Sequence, residues 1–383
     1  MLEMMNLGTV KLPAGGGRVK KFAAGQQGIV VLMESGKLYG RGSQYFSGTG
    51  STVNTWKLLG TDIADVWTGP VSTLARTTDD RWLFMGLNQY FNTGFGTTWS
   101  ALTDVTVDMP IPVGLTVKQV VMGYINVAVV FANGQYAMCG TNVSGGLGVG
   151  NTSPVRTLTL RTDFTNVEKI DLDWGTYDTS YLLTQAGDVY VAGQSSYGQN
   201  GTQSSSTTWF RQSSVSGGTV VDIVATTLGF FRIVLSSGSY RIYAQGRDIN
   251  NSLGTNTTSN TPRLAPVLVL SGIASAVRPR VYISHYAARV IDSDGVVYFT
   301  GQGTGDLQGV GTTPQPTYRV FSQLDPIVPS VGDYFSTRSQ YLTNYYLEDG
   351  VLYGVGQGAQ ATQLLPGYGT TQVLTFSVLE LPE

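Results

Sequence analysis

A short unit recurs along this chain and restricts its fold more than any other feature. A turn residue opens the unit, a short strand follows, and a Gly stands six positions on. The matches are Gly36/Gly42, Asp80/Gly86, Gly134/Gly140, Gly187/Gly193, Gly295/Gly301 and Gly350/Gly356. A further pair, Gly238/Gly246, carries two extra residues. Successive units lie roughly fifty residues apart, a period at which propeller blades are found. A unit of this size cannot bury its apolar face alone and must pack against its neighbours.

The clearest copy spans residues 131–150, FANGQYAMCGTNVSGGLGVG. Residues 127–132 are an apolar run, and Asn133-Gly134 is a hairpin signal because both residues tolerate φ > 0. Residues 135–139 form a second strand, Gly140 breaks it, and a Gly-rich loop follows. Two further landmarks keep the same register. A Trp or Pro follows the second Gly at Trp56, Trp99, Pro154, Trp209, Pro262 and Pro316. A Gly-x-x-polar step opens a strand at Gly69-Pro-Val-Ser72 and Gly123-Tyr-Ile-Asn126, with Gly25-Gln-Gln-Gly28 a looser copy.

The run Cys139-Gly140-Thr141-Asn142-Val143-Ser144-Gly145-Gly146-Leu147-Gly148 resembles the signature of the RCC1 (regulator of chromosome condensation) repeat family. That signature reads aromatic, Gly, x, Asn, two residues, Gly, Gln, Leu, Gly. Weaker copies are Ser252-Leu253-Gly254 and Asp306-Leu307-Gln308-Gly309. The resemblance covers nearly the whole chain and implies an all-β fold, a seven-bladed β-propeller, in a distant member of the family. Two departures stand out. Cys139, Ala192 or Gln245 replaces the family's Trp, and the strand-opening His is absent, since the only His, His285, lies two places off.

Length alone, 383 residues, suggests two or three domains. The repeat overrides this in favour of a single propeller with blades near 19–60, 61–114, 115–164, 165–217, 218–272, 273–329 and 330–383. Residues 1–18 are expected to close the ring by joining the last blade, because an open ring leaves an unpaired edge. Residues 372–381 are the competing outermost strand. Only 13% of residues are charged, and Gly reaches 49 residues, nearly twice ordinary usage. Both fit short strands joined by tight turns.

A net charge of −2 argues against duplex nucleic acid as the main partner, since neutralising phosphates takes many Lys and Arg. A single Cys excludes an internal disulfide framework and any Cys-based zinc site. The first residues lack the pattern of a secretion signal, and no apolar run is long enough for a membrane-spanning helix.

Several residues raise chemistry, and each has a plainer reading. Asp79-Asp80 pairs carboxylates, but Asp at a hairpin turn needs no catalytic role. Cys139 has no His in its blade to activate it and reads as a small buried hydrophobe. Asp171, Asp173 and Asp178 space like the start of a calcium loop whose later ligands are missing. Arg18, Lys20 and Lys21 read as a solvated strand face, and His285 as a structural residue. Tyr334, Phe335, Tyr341, Tyr345 and Tyr346 suit packing between blades better than stacking on sugars or bases. Gly301-Gln-Gly303-Thr-Gly305 and Gly354-Val-Gly356-Gln-Gly358 resemble phosphate-binding glycines, yet no helix follows either. No catalytic, cofactor-binding or metal site is assigned.

The expectation is therefore a non-enzymatic structural and interaction protein without cofactors. Its low charge, its Thr/Ser/Asn/Gly-rich loops and the missing export signal suggest a virion component, a phage tail or decoration protein. Such a scaffold would dock other proteins of a large assembly or a host surface receptor. A cytoplasmic location is the alternative. Two other readings stay open: a regulator of a small GTPase or chromatin, which the family resemblance implies, and a carbohydrate-binding propeller.

Overall fold

In a computed structural model the described residues are 17–92, 94–257, 261–284, 287–301, 317–324, 333–336, 343–356, 373–379 and 381. The repeat unit is the middle of a four-stranded antiparallel sheet. In the clearest copy the strands are Val117–Met122, Asn126–Phe131, Tyr136–Gly140 and Val155–Arg161. The described residues form seven such sheets, each from four consecutive strands. They are numbered here in chain order as sheet 1 (19–60), sheet 2 (63–104), sheet 3 (117–161), sheet 4 (167–211), sheet 5 (219–273), sheet 6 (280–324) and sheet 7 (333–378). The one helical element described is a single 3-10 turn, Thr106–Asp108.

The glycines set this geometry. The opening member of every pair, Asp80 included, lies in the left-handed region, with φ from 67° at Asp80 to 87° at Gly187. The closing glycines from Gly42 to Gly301 have φ between 100° and 148°. A Cβ at Gly42, Gly86, Gly140, Gly193 or Gly246 would collide with the backbone carbonyl just before the second strand of the sheet. The close approach of two backbones demands Gly there. The Trp and Pro landmarks mark the fourth strand. Trp56, Trp99 and Trp209 lie on it, and Pro154 and Pro262 immediately precede it. Ser72, Asn126 and Gly28 each open a second strand.

Two turns differ from expectation. Of Asn133-Gly134, only Gly134 has a positive φ (85°), and its N–H donates to the Phe131 carbonyl (2.9 Å). Residues 132–134 thus form a three-residue loop rather than a two-residue one. The two extra residues of the expanded hairpin at 236–246 suit a bulge or a longer turn. Instead both strands lengthen to eight residues, Gly229–Ser236 and Ser239–Gly246, and pair through Ser236 and Ser239. Ser237 (49°) and Gly238 (81°) both take positive φ, which suits a tight two-residue turn.

The second and third strands are buried throughout in sheet 3, and the fourth is exposed or half-buried except at Leu158. Alternation is lost because both faces of the middle strands meet neighbouring sheets. Apolar clusters join sheet 1 to 2, 2 to 3, 3 to 4, 4 to 5, 5 to 6 and 6 to 7. A further cluster returns from sheet 7 to sheet 1, where Tyr345, Leu347 and Leu352 pack with Val19, Phe22 and Val31. The Val19 N–H donates to the Gly350 carbonyl (3.1 Å) at the same junction. Among the described residues the outermost strand of sheet 7 is Val373–Val378, from the 372–381 candidate. The expected closing strand at 1–18 lies outside the described residues except for Gly17 and Arg18.

Arg18 and Lys20 are exposed, as expected of a solvated strand face, and Lys21 is half-buried; each also has a partner in an adjacent sheet. Lys20 Nζ donates to the Ala64 carbonyl (2.9 Å), and Lys21 Nζ pairs with Asp65 (2.6 Å) above the Trp67 ring. Arg18 Nη2 donates to the Asp349 carbonyl (2.7 Å). All three reach an adjacent sheet. Lys118–Glu168 (2.8 Å) and Lys169–Asp222 (2.8 Å) repeat the arrangement between later sheets.

Candidate interaction face

Antiparallel order puts the turns between first and second strands at the same end of each sheet as the long loops between third and fourth strands. The hairpins and the linkers between sheets lie at the other end. The loop end carries most of the irregular chain, so its internal bonding decides what it can do.

Each described loop of sheets 3, 4 and 5 is held by one side-chain oxygen placed two residues after the closing Gly. Asn142 Oδ1 accepts the Leu147 N–H (3.0 Å), Ser195 Oγ accepts the Asn200 N–H (2.9 Å), and Asp248 Oδ1 accepts the Leu253 N–H (2.9 Å). Leu147 and Leu253 are thereby held fully inside. In sheet 2, Asn88 Oδ1 takes the N–H groups of Tyr90 and Phe91. The Asn, Gly and Leu of the 139–148 signature thus have physical roles as cap, left-handed turn and plug. The copy at 306–309 lies outside the described residues.

Neighbouring sheets are tied across this end. Asp178, in the first turn of sheet 4, accepts N–H groups from Ser144 (2.5 Å) and Gly146 (3.2 Å) of the sheet 3 loop. Asn126 Nδ2 donates to it as well (2.5 Å). Burial nevertheless pushes the Asp178 carboxyl above the ordinary carboxylate value. Asp171 takes the Ala225 N–H (2.8 Å), and Asp173 takes those of Gly175 (2.8 Å) and Tyr177 (3.1 Å). These carboxylates accept backbone N–H groups, Asp171 from within a strand and Asp173 and Asp178 from a turn, and among the described residues no group of three His, Cys, Asp or Glu side chains could hold a metal.

On this frame stand Tyr177, Tyr197 and Arg247, all half-buried. The two rings meet edge to face, with centroids 5.3 Å apart. The Arg247 guanidinium lies 5.2 Å from the Tyr197 ring centre. Burial, reinforced by the Tyr197 hydroxyl, holds the Tyr177 phenol above its ordinary value. Arg247 also borders a shallow cleft with Thr226, Thr227, Ser252 and Ser284, which carries the patch toward sheet 6. Elsewhere on the same end, Arg156 stacks 3.4 Å over the exposed ring of Phe95, and Val143 is 56% exposed.

Apart from Asp171, Asp173 and Asp178, the residues singled out from the sequence lie elsewhere or outside the described residues. Asp79 and Asp80 form a hairpin turn at the opposite end, paired with Arg81 (3.0 Å) and Arg76 (2.5 Å). Cys139 is fully buried between sheets 2 and 3, and burial pushes its thiol far up. Tyr345 and Tyr346 are buried between sheets, so neither is available to stack on a sugar. His285 and Tyr341 lie outside the described residues, as do the side chains of Tyr334 and Phe335. Tyr177, Tyr197 and Arg247 fall in three separate loops, and no local spacing reports that they meet.

No family model and no curated protein matches the chain. Solved structures do. Human WBSCR16 superposes with a TM-score of 0.66 over 86% of this chain and 85% of its own, at 19% identity. Prp20p from Saccharomyces cerevisiae gives 0.60 over 79% and 76%, at 13% identity. The same yeast protein, RCC1 (Prp20), in a structure with Kap60, gives 0.59 over 80% and 74%, at 14% identity. The fold is that of an RCC1-like β-propeller. The implied all-β architecture therefore holds, and at these identities the match speaks for fold alone. Among the described residues no helix is long and apolar enough to cross a membrane.

Proposed function

We propose that this protein is a non-enzymatic binding propeller that docks a protein partner on its loop end. In this reading the seven sheets are the blades of one closed ring, divided near the boundaries given above. The observation that carries it is the Tyr177–Tyr197–Arg247 cluster. Tyr and Arg are, with Trp, the side chains enriched among residues that dominate binding energy, because each offers a large contact area and a polar tip. Here they are half-buried, packed together, and mounted on loops whose backbone is fixed by Asp173, Ser195 and Asp248. A partner meeting such a surface would order few groups on binding.

Prp20p, with which the fold is shared, binds Gsp1p and histones, and its structure is known with Kap60 bound. These partners are its own. They support the general use of such a ring as a protein platform and keep the small-GTPase regulator as a second reading. The narrower expectation of a phage tail or decoration component rests on composition.

Affinity capture with quantitative mass spectrometry tests the proposal. Beads carrying wild-type protein are compared with beads carrying a Y177A/Y197A/R247A variant and with an opposite-end control, V113S. Partners retained by wild type and V113S but lost by the triple variant are expected; equal recovery on all three refutes the loop-end reading. A nucleotide-free GTPase among the lost partners selects the regulator. Co-sedimentation of the native protein with a large particle selects the virion component.

A further inference from the structure

At the opposite end, between sheets 4 and 5, lies a cavity of about 510 Å³. The hairpin at 186–189, the linker at 211–220 and one side chain from deep in sheet 5, Arg232, line it. Arg232 is 1% exposed and stands in the strand Gly229–Ser236, whose neighbours are apolar. Its Nη1 donates to the Ser213 carbonyl (2.7 Å) and its Nη2 to Gln245 Oε1 (2.5 Å), both uncharged acceptors. Its Nε has no partner. Among the described residues no carboxylate pairs with it. Burial alone pushes the guanidinium down to about 10.

Buried charges in proteins are ordinarily paired, because taking one out of water without a counter-charge is costly. The rest of the cavity does not supply the missing charge. Arg211 and Asp188 neutralise each other (2.5 Å) on its wall. Arg241 reaches Gly217, beside the rim residue Gly218, and no ion pair to it is found among the described residues. The side chains at this site therefore carry an excess of positive charge. Gln212, Ser213, Ser214 and Thr219 add polar groups to the lining. The volume is that of a small-molecule pocket.

We propose that this cavity binds a small organic anion, its oxyanion head set against Arg232 and its remainder filling the space under the 211–220 linker. A guanidinium suits carboxylate and phosphate alike, since both offer paired oxygens to its planar fork. The cavity shares no lining residue with the loop-end cluster, and anion binding is read without any docking partner, so the two proposals are tested separately.

Calorimetric titration of the full chain with sodium phosphate and, separately, disodium succinate tests it, with ionic strength held constant by sodium chloride. Two variants accompany wild type. R232M keeps the length of the stem and removes the charge. S214W fills the cavity from its exposed rim and leaves the buried network intact. Wild type should bind one equivalent of phosphate or of succinate, and each variant should weaken that binding at least tenfold. Phosphate binding identifies a phosphate-bearing ligand, and succinate binding a carboxylate-bearing one. Should R232M fail to fold by circular dichroism, S214W decides. Binding of neither anion, or binding unchanged in the folded variants, overturns the proposal.

Discussion

Removing the carboxylate of Asp178 should loosen the loop end where sheets 3 and 4 meet. Asp178 is 3% exposed and accepts from Ser144, Gly146 and Asn126, so one side chain anchors a loop and a strand opening of the preceding sheet. A hydrogen bond to a charged group contributes about 1.5–3 kcal/mol net, and a buried donor left without a partner costs about 1–3 kcal/mol. The three bonds share one acceptor and do not add. Water can reach part of the loop, so Asp178→Ala should cost about 3 kcal/mol. Asp178→Asn keeps one acceptor oxygen and should cost about half as much. The pH dependence has a definite sign. Burial raises the folded pKa of Asp178 above the ordinary 3.8, so the folded protein holds that proton more tightly than the unfolded chain does. The stabilisation from this titration is fully present below the unfolded value and is lost as pH rises through the raised folded value. The stability advantage of wild type over D178N should therefore shrink across that window. Urea unfolding followed by Trp fluorescence, at pH 7 and along an acid series, reads both effects. A D178A midpoint equivalent to less than about 0.5 kcal/mol from wild type would refute the anchoring role. An advantage over D178N that grew with pH would refute the burial argument.

Other expectations follow from single contacts. Gly140 has φ of 148°, and a Cβ there would strike Asn126 and the Ile125 carbonyl, so Gly140→Ala should cost about 2–3 kcal/mol in denaturant unfolding. Tyr345 is fully buried and meets Phe22 of sheet 1 edge-on, with centroids 6.0 Å apart. Tyr345→Ala should cost about 3–5 kcal/mol, and an unchanged melting temperature would argue against packing of sheet 7 on sheet 1. Cys139 should resist a thiol reagent in the folded protein and react in urea; prompt labelling without denaturant would contradict its burial.

The periodic glycines made the sheets legible because their constraint is local. Gly42, Gly86, Gly140, Gly193 and Gly246 each answer to a carbonyl 15 to 18 residues earlier in the same sheet, and nothing distant can relax that contact. Turn type was less legible. Asn133-Gly134 and Ser237-Gly238 both present a residue tolerant of positive φ before a Gly, but only the second pair takes positive φ at both positions. The length of the flanking strands decides between them, eight residues in sheet 5 against five or six in sheet 3. The basic residues at 18–21 gave no sign of their acceptors, Ala64, Asp65 and Asp349, because these belong to neighbouring sheets. The Tyr177–Tyr197–Arg247 cluster was hidden for the same reason. Arg232 did leave a signal: a cation in the middle of the apolar run Phe230-Phe231-Arg232-Ile233-Val234-Leu235.

The loop caps explain how the fold can persist while its signature fades. What the loop needs two residues after the closing Gly is a side-chain oxygen that can accept one N–H. Asn142, Ser195 and Asp248 all supply it at 2.9–3.0 Å. The left-handed turn three residues further on is filled by Gly145, Gly198 or Asn251, with φ of 86°, 79° and 62°. The plug position tolerates Leu147, Leu253 or Asn200, all buried. Each position thus accepts several residue types that share one physical property, and a pattern written in residue names decays faster than the geometry it encodes. A chain can then superpose on human WBSCR16 over 86% of its length at 19% identity. The side chains that escape these requirements, Tyr177, Tyr197 and Arg247 at one end and Arg232 at the other, are those in which a function specific to this protein can be written.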